Sequence, residues 1–176
     1  MKNNLFILIF FLLVGCTPNT TVSTNAITKT SCPIVLFSSE HSQYITGNTK
    51  PITTENIRYR AEINNYAFNS ECSIKDNIFQ AELSLLFIVK PDLTEESSII
   101  LPFYVATLNT NDEVVDMQYF QVDGDLMSES ENANYIETEL TKTIKFQIPI
   151  FNEEEFSQNK VVVGFMLDKK KLEILN

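Results

Sequence analysis

Residues 57–63 alternate with a period of two: Ile57, Tyr59, Ala61 and Ile63 are apolar or aromatic, while Arg58, Arg60 and Glu62 are charged. A strand would place the first set on one face and the second on the other. Ile144, Phe146, Ile148 and Ile150 repeat the pattern opposite Lys145 and Gln147. Phe79, Ala81, Leu83, Leu85, Phe87 and Val89 form a longer row, thickened by Leu86 and Ile88, which predicts a strand covered on both faces there. Shorter apolar runs predict strands over 33–37, 99–108, 114–122 and 161–167. Apolar spacing at the helical period is nearly absent.

Turn chemistry falls between these runs, at 75–77 (Lys-Asp-Asn), 109–112 (Asn-Thr-Asn-Asp), 123–125 (Asp-Gly-Asp) and the acidic stretch 152–155. Strands joined by such turns predict an all-β fold, an antiparallel immunoglobulin-like β-sandwich, with an up-and-down barrel as the second choice. Cys32 would open the first strand and Cys72 close the second. The chain has no Trp, so the likeness to immunoglobulin domains is architectural only.

The first residues break from this pattern. After Lys2, residues 5–14 are uniformly apolar and end at Gly15 and Cys16, with Pro18 and a polar run beyond. A basic start, a short apolar run and a small residue before a cut describe a secretory signal peptide. A membrane-spanning helix needs roughly 20 apolar residues, and this run is about half that. Leu13-Val14-Gly15-Cys16 resembles the lipobox of bacterial lipoproteins. The resemblance implies cleavage after residue 15, acyl chains on Cys16 and attachment to the bilayer through them. Thr17, where an Asp would signal retention at the inner membrane, implies the outer membrane, with the domain facing the periplasm.

With Cys16 lipidated, Cys32 and Cys72 remain as a pair. In an exported protein such a pair reads as a disulfide. A metal or redox dithiol usually shows a close Cys-x-x-Cys or a nearby His, and neither is present. Residues 16–31, rich in Thr, Asn and Ser, read as a flexible tether, and 32–176 as one β-sandwich domain closed by a short helix. As a coil the tether would span on the order of 20 Å.

Charge excludes one class of partner. The chain carries 13 Lys and Arg against 23 Asp and Glu, a formal balance of −10. Loss of Lys2 with the leader moves this to about −11. A nucleic-acid binder needs a basic surface to displace counterions, so no nucleic-acid partner is expected.

The stretches CPIVLF, IRYRAEINNYAFNSEC, ILPFYVATLNTNDEVV and VVVGFMLDKKKLEILN resemble a family of small alphaproteobacterial envelope lipoproteins of unassigned activity. Two departures stand out. The closing segment would start as a capping box in that family, whereas here Asp168 is followed at the third position by Lys171, which predicts a frayed helix. The loop over 123–134 is acidic where basic residues would be expected.

The remaining chemistry is sparse. His41 is the only histidine, and Ser38, Ser39 and Ser42 beside it in sequence make no triad, so a solvated loop histidine is expected. Asp123, Asp125, Glu129 and Glu131 lack the spacing of a calcium loop. Four glycines leave no phosphate cradle, and no cofactor is expected. Arg58 and Arg60 share one strand face and form a possible interaction surface. The simplest alternative is that they pair with Glu82, Glu137 or Glu139 on neighbouring strands. The function expected is a non-catalytic binding module in the cell envelope, with an envelope protein or polymer as partner. The alternative is an enzyme or metal-dependent binder whose site assembles from dispersed residues.

Overall fold

The computed structural model describes residues 27–92, 96–128, 135–150, 156 and 158–175. The leader, Cys16, the tether up to residue 26, Glu129, Glu131 and the 152–155 turn lie outside the described residues. Among the described residues ten strands form: β1 (Thr28–Thr30), β2 (Ile34–Phe37), β3 (Gln43–Gly47), β4 (Ile57–Phe68), β5 (Cys72–Lys75), β6 (Ile78–Pro91), β7 (Ser98–Leu108), β8 (Val114–Asp125), β9 (Thr138–Pro149) and β10 (Lys160–Phe165). A helix, α1 (Lys169–Leu175), follows. No described helix is long and apolar enough to cross a membrane.

The strands make two sheets. In the first the order is β1-β5-β6-β4-β3, and β9 pairs with β6. β5 and β4 take successive stretches of β6, so β9, paired from Ile78 to Val89, occupies its other side. The second sheet runs β2-β10-β7-β8, and its β2–β10 pair is parallel. The fold is an all-β, mainly antiparallel sandwich with a short C-terminal helix. β8 and β9 lie along the same side, where Gln118 Nε2 donates to the Gln147 carbonyl at 2.8 Å. A side chain bridges this seam and no ladder joins the two strands, which separates the sandwich from the barrel.

The alternating rows become the core. Phe79, Phe87, Phe103, Phe146 and Phe165 are fully buried between the sheets, and the Phe87 ring meets Phe103 at 5.3 Å and Phe165 at 5.8 Å. Tilted aromatic pairs at such distances are the favoured geometry for ring quadrupoles. Ile88 is buried on the opposite face of β6, as its thickened pattern predicts.

Several expectations are corrected. Strand structure is present before Cys32: Thr28–Thr30, inside the stretch read as tether, pairs with Ile74, Ser73 and Cys72. Cys72 opens β5 instead of closing the preceding strand, and β3 and β5 were not visible as strands. The Asp76-Asn77 turn is as expected, with φ of 53° and 60° suited to a two-residue hairpin. Asp123-Gly124-Asp125 is no turn; it continues β8 opposite Ser98, Ile99 and Ile100. Gly124 lets the Leu140 side chain of β9 lie close against β8, since a Cβ there would fall 2.6 Å from Leu140 Cδ2 and the leucine would have to shift.

Candidate interaction surface

The two sheets present different outer faces. On the first, polar residues align across strands by register: Ser73, Gln80 and Gln147 form one row. In the next, Lys145 Nζ lies 2.9 Å from Glu82 Oε1. Beyond it, the Ser84 and Thr143 hydroxyls meet at 2.7 Å with Asn69 Nδ2 donating to Ser84 Oγ at 2.8 Å. Such a face satisfies its own polar groups.

The outer face of the second sheet is apolar. Val35 in β2, Val161 and Val163 in β10, and Leu101, Phe103 and Val105 in β7 point into the core. Their neighbours Leu36, Val162 and Ala106 therefore point outward. The register places Leu36 beside Val162, Val162 beside Ala106 and Ala106 beside Met117. This is one apolar row across all four strands. Ala106 lies low between its larger neighbours and is buried, whereas Leu36 and Met117 remain 45% and 37% exposed. The adjacent row runs Gly164, Tyr104, Tyr119, with Tyr119 63% exposed. A Cβ on Gly164 would stand 2.6 Å from the Tyr104 hydroxyl and 2.9 Å from His41 Cβ, so glycine is what lets the tyrosine lie across β10.

His41 is not a solvated loop residue. Its ring packs edge-on against Tyr104 at 5.7 Å, and its carbonyl accepts from the Phe165 amide at 2.7 Å. The nearby serines contact backbone and not the imidazole: the Ser42 hydroxyl donates to the Ser39 carbonyl, the Ser38 amide donates to the Val163 carbonyl, and the Ser42 carbonyl accepts from the Ile63 amide.

Arg58 and Arg60 are held differently from each other and from the expected pattern. The Arg58 side chain is 15% exposed and reaches the second sheet, donating to the Ser98 carbonyl at 2.7 Å and the Glu96 carbonyl at 3.2 Å, with Glu96 Oε2 at 3.3 Å. Arg60 Nε pairs with Asp92 Oδ2 at 2.9 Å. The partners Asp92 and Glu96 come from the connection between β6 and β7, and Ser98 is the first residue of β7. Glu82 instead pairs with Lys145 and Glu137 with Lys90. Arg58 therefore ties the sheets together, and Arg60 is the more exposed half of the pair.

The helix is anchored through the residue that seemed to weaken it. Asp168 caps α1, its Oδ1 accepting from the Lys171 amide at 2.9 Å. Lys171 Nζ donates to the Tyr44 hydroxyl at 2.7 Å and sits 3.9 Å from the Tyr44 ring centre. Burial pushes the Lys171 pKa down; Asp168 opposes that shift and Lys50 adds to it. Burial, with Asp168 adding to it, pushes Tyr44 up. The cation over the ring offsets the poor position of a lysine in the first turn.

Cys32 and Cys72 are bonded, with Cα atoms 5.2 Å apart. The bond lies in the link between the sheets, since Cys72 opens β5 of the first and Cys32 precedes β2 of the second. Asp123 accepts from Gln121 Nε2, and Asp125 Oδ1 from the Ser97 hydroxyl at 2.8 Å. No cluster of His, Cys, Asp or Glu suited to a metal occurs among the described residues. Sequence reasoning missed the apolar outer face because Leu36, Tyr104 and Val162 sit in short or uniformly apolar runs and Met117 stands between Asp116 and Gln118; only strand register brings them together. No known family, curated protein or solved structure matches this chain.

Proposed function

We propose that this protein is a lipid-anchored module of the bacterial cell envelope, held at the outer membrane through Cys16 and facing the periplasm, that binds an envelope partner without catalysing a reaction. The contact surface is the outer face of the second sheet. The observation that carries the reading is the row Leu36, Val162, Ala106, Met117, apolar across four strands on the side away from the core. Exposed apolar side chains grouped on one sheet face, here Leu36, Met117 and Tyr119, mark interaction sites. The leader, the lipobox resemblance and the Cys32–Cys72 bond support an exported location, since disulfides persist in oxidising compartments.

The test is crosslinking in cells that express the full chain. Wild type should give a discrete crosslinked product that is lost in Leu36→Lys and in Met117→Lys, while Arg60→Gln retains it. Unchanged products from both lysine variants would remove this face from consideration.

A further inference from the structure

The second sheet ends at β8, and β8 is twelve residues long with a partner on one side only among the described residues. The direction of its free groups follows from a contact elsewhere. Both the amide and the carbonyl of Ile100 bond the Tyr59 hydroxyl, so they point away from β8. In an antiparallel ladder this makes Ile100 and Asp123 a non-hydrogen-bonded pair, and the alternation repeats every second residue. Asp123, Gln121, Tyr119 and Met117 therefore aim their N–H and C=O groups outward. None of these groups makes a backbone hydrogen bond to another described element.

The side chains beside that edge are graded. On the outer face β8 presents Val115, Met117 and Tyr119, then Gln121, Asp123 and Asp125. The strand carries no Lys or Arg, and among the described residues Asp116, Asp123 and Asp125 make no ion pair. Natural edges of this length are usually covered or carry a lysine or proline, because an open edge is a template for another chain.

We infer that β8 is a strand-addition site for an extended segment of a basic partner protein. The segment pairs antiparallel with Met117, Tyr119, Gln121 and Asp123. Its outer row is basic opposite the aspartates and apolar opposite Val115, Met117 and Tyr119. Main-chain bonds supply affinity and the graded row supplies register. A second copy is the poorer occupant, since it brings the same carboxylates and the same net charge of −10. This rests on the binding reading above and adds to it the edge and the partner's pattern.

The probe is a synthetic peptide alternating threonine with an outer row of two lysines, one glutamine and then three valines, six positions to match the six outward residues of β8; the control replaces the lysines with glutamates. Added to the full chain, the lysine peptide should slow hydrogen exchange at the Met117, Tyr119, Gln121 and Asp123 amides, and the control should not. Asp123→Asn with Asp125→Asn should weaken binding roughly fivefold. Gln121→Pro, whose lost N–H is not in the β7 ladder, should keep the fold and abolish binding. Absence of binding, equal binding of both peptides, protection at another edge, or protection at β8 that grows with protein concentration alone would each overturn the inference. If the Leu36 and Met117 variants lose the cellular crosslink while the peptide protects nothing at β8, the edge is wrong and the face reading stands.

Discussion

The hydroxyl of Tyr59 lies 3.0 Å from both the amide nitrogen and the carbonyl oxygen of Ile100. One side chain of the first sheet thus stands in for a missing strand of the second. β10 reaches along β7 only from Phe103 to Leu108, and Ile100 is beyond its end. Burial raises the Tyr59 pKa, and the Ile100 backbone partly opposes that shift.

Tyr59→Phe keeps the ring in the core and leaves two backbone groups of Ile100 without their partner. Loss of about 1–3 kcal/mol is expected, read as a lower midpoint in urea with an unchanged slope. A change under about 0.3 kcal/mol would mean that water replaces the hydroxyl fully.

Alkaline titration should find Tyr44 and Tyr59 ionising late. Both are raised above 10.0, so the folded state holds their protons more tightly than the unfolded state. Their stabilisation is complete below pH 10.0 and is lost as pH rises through the folded values. Lys171, lowered from 10.5, acts with the opposite sign: stability gains between its folded value and 10.5. Tyrosinate absorbance should therefore rise in two steps, the second coinciding with loss of structure.

Arg58→Gln and Arg60→Gln should separate. Arg58 bonds two carbonyls and is largely covered, so its loss should destabilise by about 1–3 kcal/mol. Arg60 pairs at the surface, and its loss should fall within about 1 kcal/mol. Equal effects in thermal unfolding would contradict the geometry.

Reduction of the Cys32–Cys72 bond should lower stability by about 4 kcal/mol if loop closure dominates, given its separation of 40 residues. Native protein should show neither thiol to alkylating reagents. Finding both labelled would mean that the bond does not form in the cell.

Cys16→Ser should block acylation and leave an unprocessed, larger precursor that labelled palmitate does not mark. A variant that matures to the wild-type size and stays with the membrane would refute the lipobox reading.

The long strands were legible because each keeps two chemically distinct rows over six or more positions. β4, β6 and β9 are of this kind, and their inward rows are the buried rows. β1 and β5 have three and four residues, too few to establish a period, and exist because β6 and the disulfide hold them. β7 was legible as a strand but not in its orientation. Its run Ile-Ile-Leu-Pro-Phe-Tyr-Val-Ala is apolar on both faces, so no alternation marks the outward row, in which Ile100 is 50% exposed. The Cys32–Cys72 pair followed from counting once Cys16 was set aside as the lipobox cysteine of an exported chain. The partners of Arg58 did not, because Glu96 and Ser98 lie about 40 residues away and only the path of the β6–β7 connection brings them near.

The position of β1 has a mechanical meaning. The chain before Ile27 enters the domain through three ladder residues, and the Lys29–Glu71 ion pair lies beside them. A pull from that side meets the β1–β5 ladder first, whose last pair is Thr30 with Cys72. Two residues further on, the force reaches the sulfur bond to the same Cys72 and passes into β5 without unzipping another strand. A pull from that side would therefore peel three residues and stop at a covalent clasp to β5.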